Sequence, residues 1–95
     1  MFARVVAAEL APDKLDVLLR VSEAQLAAAR EQPGFAGFYL LADRDGGRVM
    51  TISLWHREEH VRAVEAQAGA VRSSAASEMG IATPAVDTYE VILRA

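Results

Sequence analysis

Cysteine is absent from this 95-residue chain. That excludes a disulfide framework, a thiolate nucleophile and a cysteine-based metal site. No apolar run approaches the ~20 residues that a membrane-spanning helix needs. A basic excess is also missing. Ten Lys and Arg stand against 13 Asp and Glu, for a formal net charge of −3. Nucleic-acid modules normally carry a clustered basic face, whereas the arginines here are scattered among acidic neighbours. Asparagine does not occur at all. The opening Met-Phe-Ala-Arg-Val-Val is too short and too regular for a signal peptide, so the expected location is cytoplasmic.

What is present is alanine-rich and apolar, with 53% hydrophobic residues. That exceeds the usual share for a soluble domain. The length suits one domain over residues 1–95, with a modest core. Phe2 to Glu9, rich in small and β-branched residues, predicts a strand. Pro12 suits a first helical turn. From Asp13 to about Arg30 the period becomes helical, with Leu15, Leu18, Leu19, Ser22, Leu26 and Ala29 on one face. Gln32-Pro33-Gly34 should end that helix. Phe35 to Ala42 and Arg48 to Trp55 predict two strands joined by a hairpin loop at Asp45-Gly46-Gly47. A second helix is expected from about Arg57 to Met79. Val61, Val64, Ala68, Val71 and Ala75 form its stripe, and Glu58 and Arg62 an i,i+4 ion pair. Gly80 is the expected C′ residue. After Thr83-Pro84, Ala85 to Leu93 predicts a last strand.

The order β-α-β-β-α-β predicts an α+β, ferredoxin-like fold. Right-handed crossovers place the first and third strands at the centre of a four-stranded antiparallel sheet, with both helices on one face. Neither the third nor the fourth strand has a clean polar side. Val49, Thr51, Ser53 and Trp55 alternate with Met50, Ile52 and Leu54. A sheet with one side in water should alternate apolar and polar. The bare side is therefore expected to pack on a second copy of the chain, giving a homodimer.

With these elements placed, the chain resembles the antibiotic biosynthesis monooxygenase (ABM) domain family of the dimeric α+β barrel superfamily. The residues that carry the resemblance are Gln32-Pro33-Gly34-Phe35-Ala36-Gly37-Phe38, the Asp-Gly hairpin, Thr51-Ile52-Ser53-Leu54-Trp55 and Thr88-Tyr89-Glu90-Val91. The resemblance implies a barrel of two facing sheets and a pocket between each sheet and its own helices. It also implies cofactor-independent oxidation of a small aromatic or quinol-like molecule, driven by the substrate's electron-rich ring. Members of the family also degrade haem, using an Asn on the first strand, a Trp on the third and a His on the second helix. Trp55 matches in place. The missing Asn leaves that trio incomplete, so haem binding ranks below the other readings. The main alternative is a non-catalytic ligand-binding or interaction module of the same fold.

The candidate catalytic residues are His60, Tyr39 and Tyr89. Imidazole exchanges protons near neutral pH, and a phenol can hydrogen-bond an enolate or reduced oxygen. Each also has a plain reading, His60 as a partly exposed surface residue and the tyrosines as ordinary strand aromatics. The candidate substrate-binding residues are Trp55, Arg4 and Ser22. Trp55 is either a stacking wall or a core anchor. Arg4 on a central strand needs a counter-charge, for which Glu9 and Glu90 are the candidates. Ser22 interrupts an apolar stripe and either meets a ligand or bonds its own backbone. His56-Arg57-Glu58-Glu59-His60 formally matches a zinc-peptidase pattern. That pattern works only with both histidines inside a helix, and His56 falls at a strand-to-helix junction. No metal or cofactor is expected.

Overall fold

A computed structural model describes residues 1–79 and 84–95, with the side chains at 67–73, 75–76 and 78–79 left aside. Strand β1 (Phe2–Glu9) leads through a 3-10 turn at Pro12–Lys14 into helix α1 (Leu15–Ala29). Strands β2 (Phe35–Asp43) and β3 (Arg48–Trp55) form the hairpin, followed by helix α2 (Glu58–Met79) and strand β4 (Ala85–Glu90). The strand order β2-β3-β1-β4 puts β1 and β3 at the centre, and every neighbouring pair is antiparallel. The ferredoxin-like α+β arrangement is therefore the observed one.

Local chemistry explains the joints. Pro12 starts the 3-10 turn, closed by Lys14 N–H donating to Ala11 O at 2.9 Å, so α1 proper begins later than Asp13. At its end, Glu31 N–H bonds Ala28 O at 3.2 Å and Gln32 N–H bonds Ala29 O at 3.0 Å. These short-range bonds tighten the last turn before Pro33 removes the next donor. Gly34 then turns the chain with φ +81°, a left-handed conformation that glycine adopts without steric cost. The β2–β3 register slips by one between Phe35 and Gly37, a bulge that bends β2 where it leaves the turn.

The hairpin loop is held by its own side chains. Asp43 Oδ1 accepts from Gly46 N–H at 3.0 Å, and Asp43 Oδ2 pairs with Arg48 at 2.6 Å. The Arg48 guanidinium, then the Gly46 amide, holds the Asp43 carboxyl below its ordinary value of 3.8. Leu10 N–H donates to Gly47 O at 2.7 Å, which ties the end of β1 to the loop.

The register assigns the two faces of the sheet. Phe2, Arg4, Val6 and Ala8 of β1 stand opposite Trp55, Ser53, Thr51 and Val49 of β3. This is the helix side, where Leu10, Leu18 and Val49 form a core cluster with Leu15, Val17, Val21 and Leu40 packed on it. The alternate set, Val5, Ala7, Ile52 and Met50, with Tyr39, Leu41 and Tyr89, lies on the open side.

Three expectations are corrected. Leu19 is exposed, because α1 is rolled so that Val17 and Val21 meet the core instead. Strand β4 stops at Glu90. One further bond follows, Val91 N–H to Met1 O at 2.8 Å, and then the chain leaves the ladder although its apolar pattern continues. Arg4 is neutralised by neither Glu9 nor Glu90 but by Glu65 of α2. Gly80 and Thr83 lie outside the described residues. No helix among the described residues is long and apolar enough to cross a membrane.

Candidate functional site

The sheet separates the candidate residues into two groups. Arg4, Trp55, Ser22 and His60 belong to the layer between sheet and helices. Tyr39 and Tyr89 lie on the open side, at 56% and 57% exposure. Strand alternation causes the split, since Tyr39 pairs with Ile52 and Tyr89 with Ala3. Neither phenol can meet Trp55 or Arg4 of its own chain through the sheet.

Trp55 is fully buried, at 0% exposure. Its indole N–H donates to Ser53 Oγ at 3.0 Å, a bond that two-residue spacing on one strand face makes available. The Phe35 ring meets it edge-on, with centroids 5.6 Å apart and planes at 78°. That geometry matches the quadrupole preference of aromatic pairs. In this state Trp55 anchors the core beside Phe35.

Arg4 lies next to that anchor, opposite Ser53 across the β1–β3 ladder. Its Nε and Nη2 both reach Glu65 Oε2, at 2.7 and 2.6 Å. The Arg4 side chain is 11% exposed and that of Glu65 37%. A buried guanidinium without a counter-charge is costly, and α2 supplies the carboxylate. Spacing did carry a signal for it. Glu65 falls four residues after the buried Val61, so both occupy one helix face.

Ser22 is buried on α1. Its Oγ and the Nδ1 of His60 are buried atoms without a hydrogen-bond partner among the described residues. Each such orphan costs about 1–3 kcal/mol. Ser22 thus fails to make the backbone bond that usually satisfies a helical serine. His60 sits in the first turn of α2, its N–H bonded to Arg57 O at 3.1 Å. Its ring packs flush on Gly34. A Cβ built there would lie 2.1 Å from Nδ1. Gly34 is therefore required twice, by its backbone angle and by the imidazole above it. His56 is exposed and outside α2, although its N–H donates to Gly34 O at 2.9 Å.

A separate open depression of about 600 Å³ lies at the hairpin end of the sheet. Ala7, Leu41 and Met50 are among its apolar lining, with Glu9, Asp43 and Arg48 at its polar rim. It is far from Trp55, at the other end of β1 and β3.

Comparison with known proteins gives the fold a family. A search of the curated proteins finds no match. Among solved structures, a candidate antibiotic biosynthesis monooxygenase from Deinococcus radiodurans is similar at TM-score 0.80 and 13% identity, covering 100% of this chain and 96% of that one. A Nitrosomonas europaea protein of unknown function is similar at TM-score 0.79 and 17% identity, covering 99% and 91%. A haem-degrading protein from Mycobacterium tuberculosis follows at TM-score 0.72 and 22% identity, covering 99% and 93%. At such identities the likeness concerns the fold. The family model described as antibiotic biosynthesis monooxygenase matches residues 1–76, and the chain belongs to that family.

Proposed function

We propose that the protein is a cofactor-independent monooxygenase acting on a small, reduced aromatic such as an anthrone or a quinol. The observation that carries this reading is the pair of buried, unpartnered polar atoms, Ser22 Oγ and His60 Nδ1. They lie in the layer between sheet and helices that also holds the Arg4–Glu65 ion pair. An apolar site with a few polar groups suits a planar phenol.

In this mechanism the imidazole of His60 takes the proton of the substrate hydroxyl, with Ser22 Oγ as a further hydrogen-bonding group in the same layer. The positive charge of Arg4, tempered by Glu65, favours the resulting anion. Removing water from around that anion raises its reactivity towards oxygen. The anion passes one electron to O2, and the two radicals recombine at the ring carbon. For an anthrone the methylene carbon ends as a carbonyl. One oxygen atom stays on carbon, and the other leaves as water with the two methylene hydrogens. The substrate supplies all the electrons. The same reading places the protein in the cytoplasm, as a homodimer joined through the open sheet face.

A non-catalytic binding module is the second reading. It is favoured by the complete enclosure of Trp55 and by the internal neutralisation of Arg4. Oxygen uptake with a panel of anthrones and quinols separates the two. The oxygenase should consume O2 above the protein-free rate, and His60→Ala should lower kcat by about a hundredfold or more. Uptake at the protein-free rate across the panel would leave the binding module.

A further inference from the structure

On the helix side of the sheet, one rung is polar from strand to strand. Ser53 of β3, Arg4 of β1 and Thr88 of β4 stand opposite one another across the two ladders. The inner end is buried at Ser53, which accepts the Trp55 indole N–H. The outer end is exposed at Thr88, on an edge strand. Trp55 lies two residues beyond Ser53 on the same face, a diagonal neighbour of Arg4 within reach of long side chains. The rung thus gives the Arg4 guanidinium a hydroxyl-bearing route to the margin of the sheet.

The ion pair on this rung is unequal. The Arg4 side chain is 11% exposed and that of Glu65 37%. A guanidinium left alone in the interior is costly, whereas a carboxylate already partly in water loses less by leaving. The pairing geometry is also incomplete. Arg4 Nε and Nη2 both converge on one oxygen, Glu65 Oε2, at 2.7 and 2.6 Å. The planar fork of arginine is shaped for both oxygens of a carboxylate, in two parallel bonds. Any ligand that takes the place of Glu65 must bring a negative charge, since a neutral group would leave the guanidinium uncompensated.

We propose that the helix-side layer selects planar aromatic ligands bearing a ring carboxylate, which replaces Glu65 on Arg4 through two parallel hydrogen bonds while Glu65 turns to water. The inference rests on the reading that this layer takes an aromatic ligand, and it names the class: an aromatic acid rather than a neutral phenol. The exchange leaves the charge beside Arg4 unchanged. Arg4 stays tempered by a carboxylate and still favours an anion formed on the ring. Glu65 acts as a specificity residue, holding Arg4 until an acid arrives.

Trp55 is the only tryptophan of the chain, so quenching of its fluorescence reports binding. The probes are anthraquinone-2-carboxylate and anthraquinone-2-carboxamide, which are already oxidised and bind without turnover. The carboxylate should bind the parent about fivefold tighter than the carboxamide, and Glu65→Gln should widen the ratio to about fiftyfold by removing the competing carboxylate. The double variant Arg4→Met with Glu65→Leu removes both charges together and leaves neither buried alone. It should bind both probes alike, and it carries the test with the parent if Glu65→Gln does not fold. Equal binding of the probes to the parent, a ratio that Glu65→Gln does not widen, or a preference kept by the double variant overturns the inference and leaves the aromatic site standing. Binding of neither probe overturns the site as well. The predicted preference without oxygen uptake would support this inference and overturn only the oxygenase chemistry.

Discussion

At the scale of single residues, the helix-side layer is organised by a few polar contacts that a simpler core would not contain. Trp55 reaches Ser53, Arg4 reaches Glu65, and Ser22 Oγ and His60 Nδ1 reach nothing described. Buried polar groups are normally paired, so the two exceptions draw attention to α1 and the start of α2. Gly34 shows how tightly that start is seated. Gly34→Ala should destabilise the fold in urea by about 1–2 kcal/mol for the left-handed backbone alone, and by more for the collision with His60. In a His60→Ala background the same change should cost only the backbone part. Equal costs in both backgrounds would mean that the imidazole does not pack on Gly34.

At the scale of elements, the ends of β1 and β3 were legible because turn-forming or polar residues bound each apolar run. The order of elements then determined which strands are central. The end of β4 was not legible, since Val91, Ile92 and Leu93 continue an apolar pattern after the pairing with β1 has stopped. Pattern reports which side chains avoid water, and pairing decides whether a strand can hide them. The partner of Arg4 was missed for a related reason. Short-range spacing favours neighbours on the sheet, whereas Glu65 arrives from a helix 61 residues away. Of the site, the sequence showed its residue types but not that the sheet divides them. The β2–β3 hairpin also makes a pH prediction. Asp43 has a lowered pKa in the folded state, so its contribution is complete above the ordinary value of 3.8 and fades as pH falls through the lower folded value. Thermal melts between pH 5 and pH 2 should show Asp43→Asn losing less stability on acidification than the parent. Parallel acid limbs would contradict the Asp43–Arg48 pairing.

At the scale of the whole molecule, the described residues form a sheet with two apolar faces and two α-helices. The helices cover one face, and the candidate chemistry lies beneath them. The other face exposes Tyr39, Leu41 and Tyr89, a set that water does not favour and a second copy would enclose. This division of labour also accounts for the separation of the tyrosines from His60 and Trp55. In the reading proposed here they serve assembly rather than proton transfer. Sedimentation equilibrium of the intact chain over a low-micromolar concentration series tests that division most directly. A reversible dimer of folded protomers is the result expected, whereas a folded monomer at every concentration would contradict it.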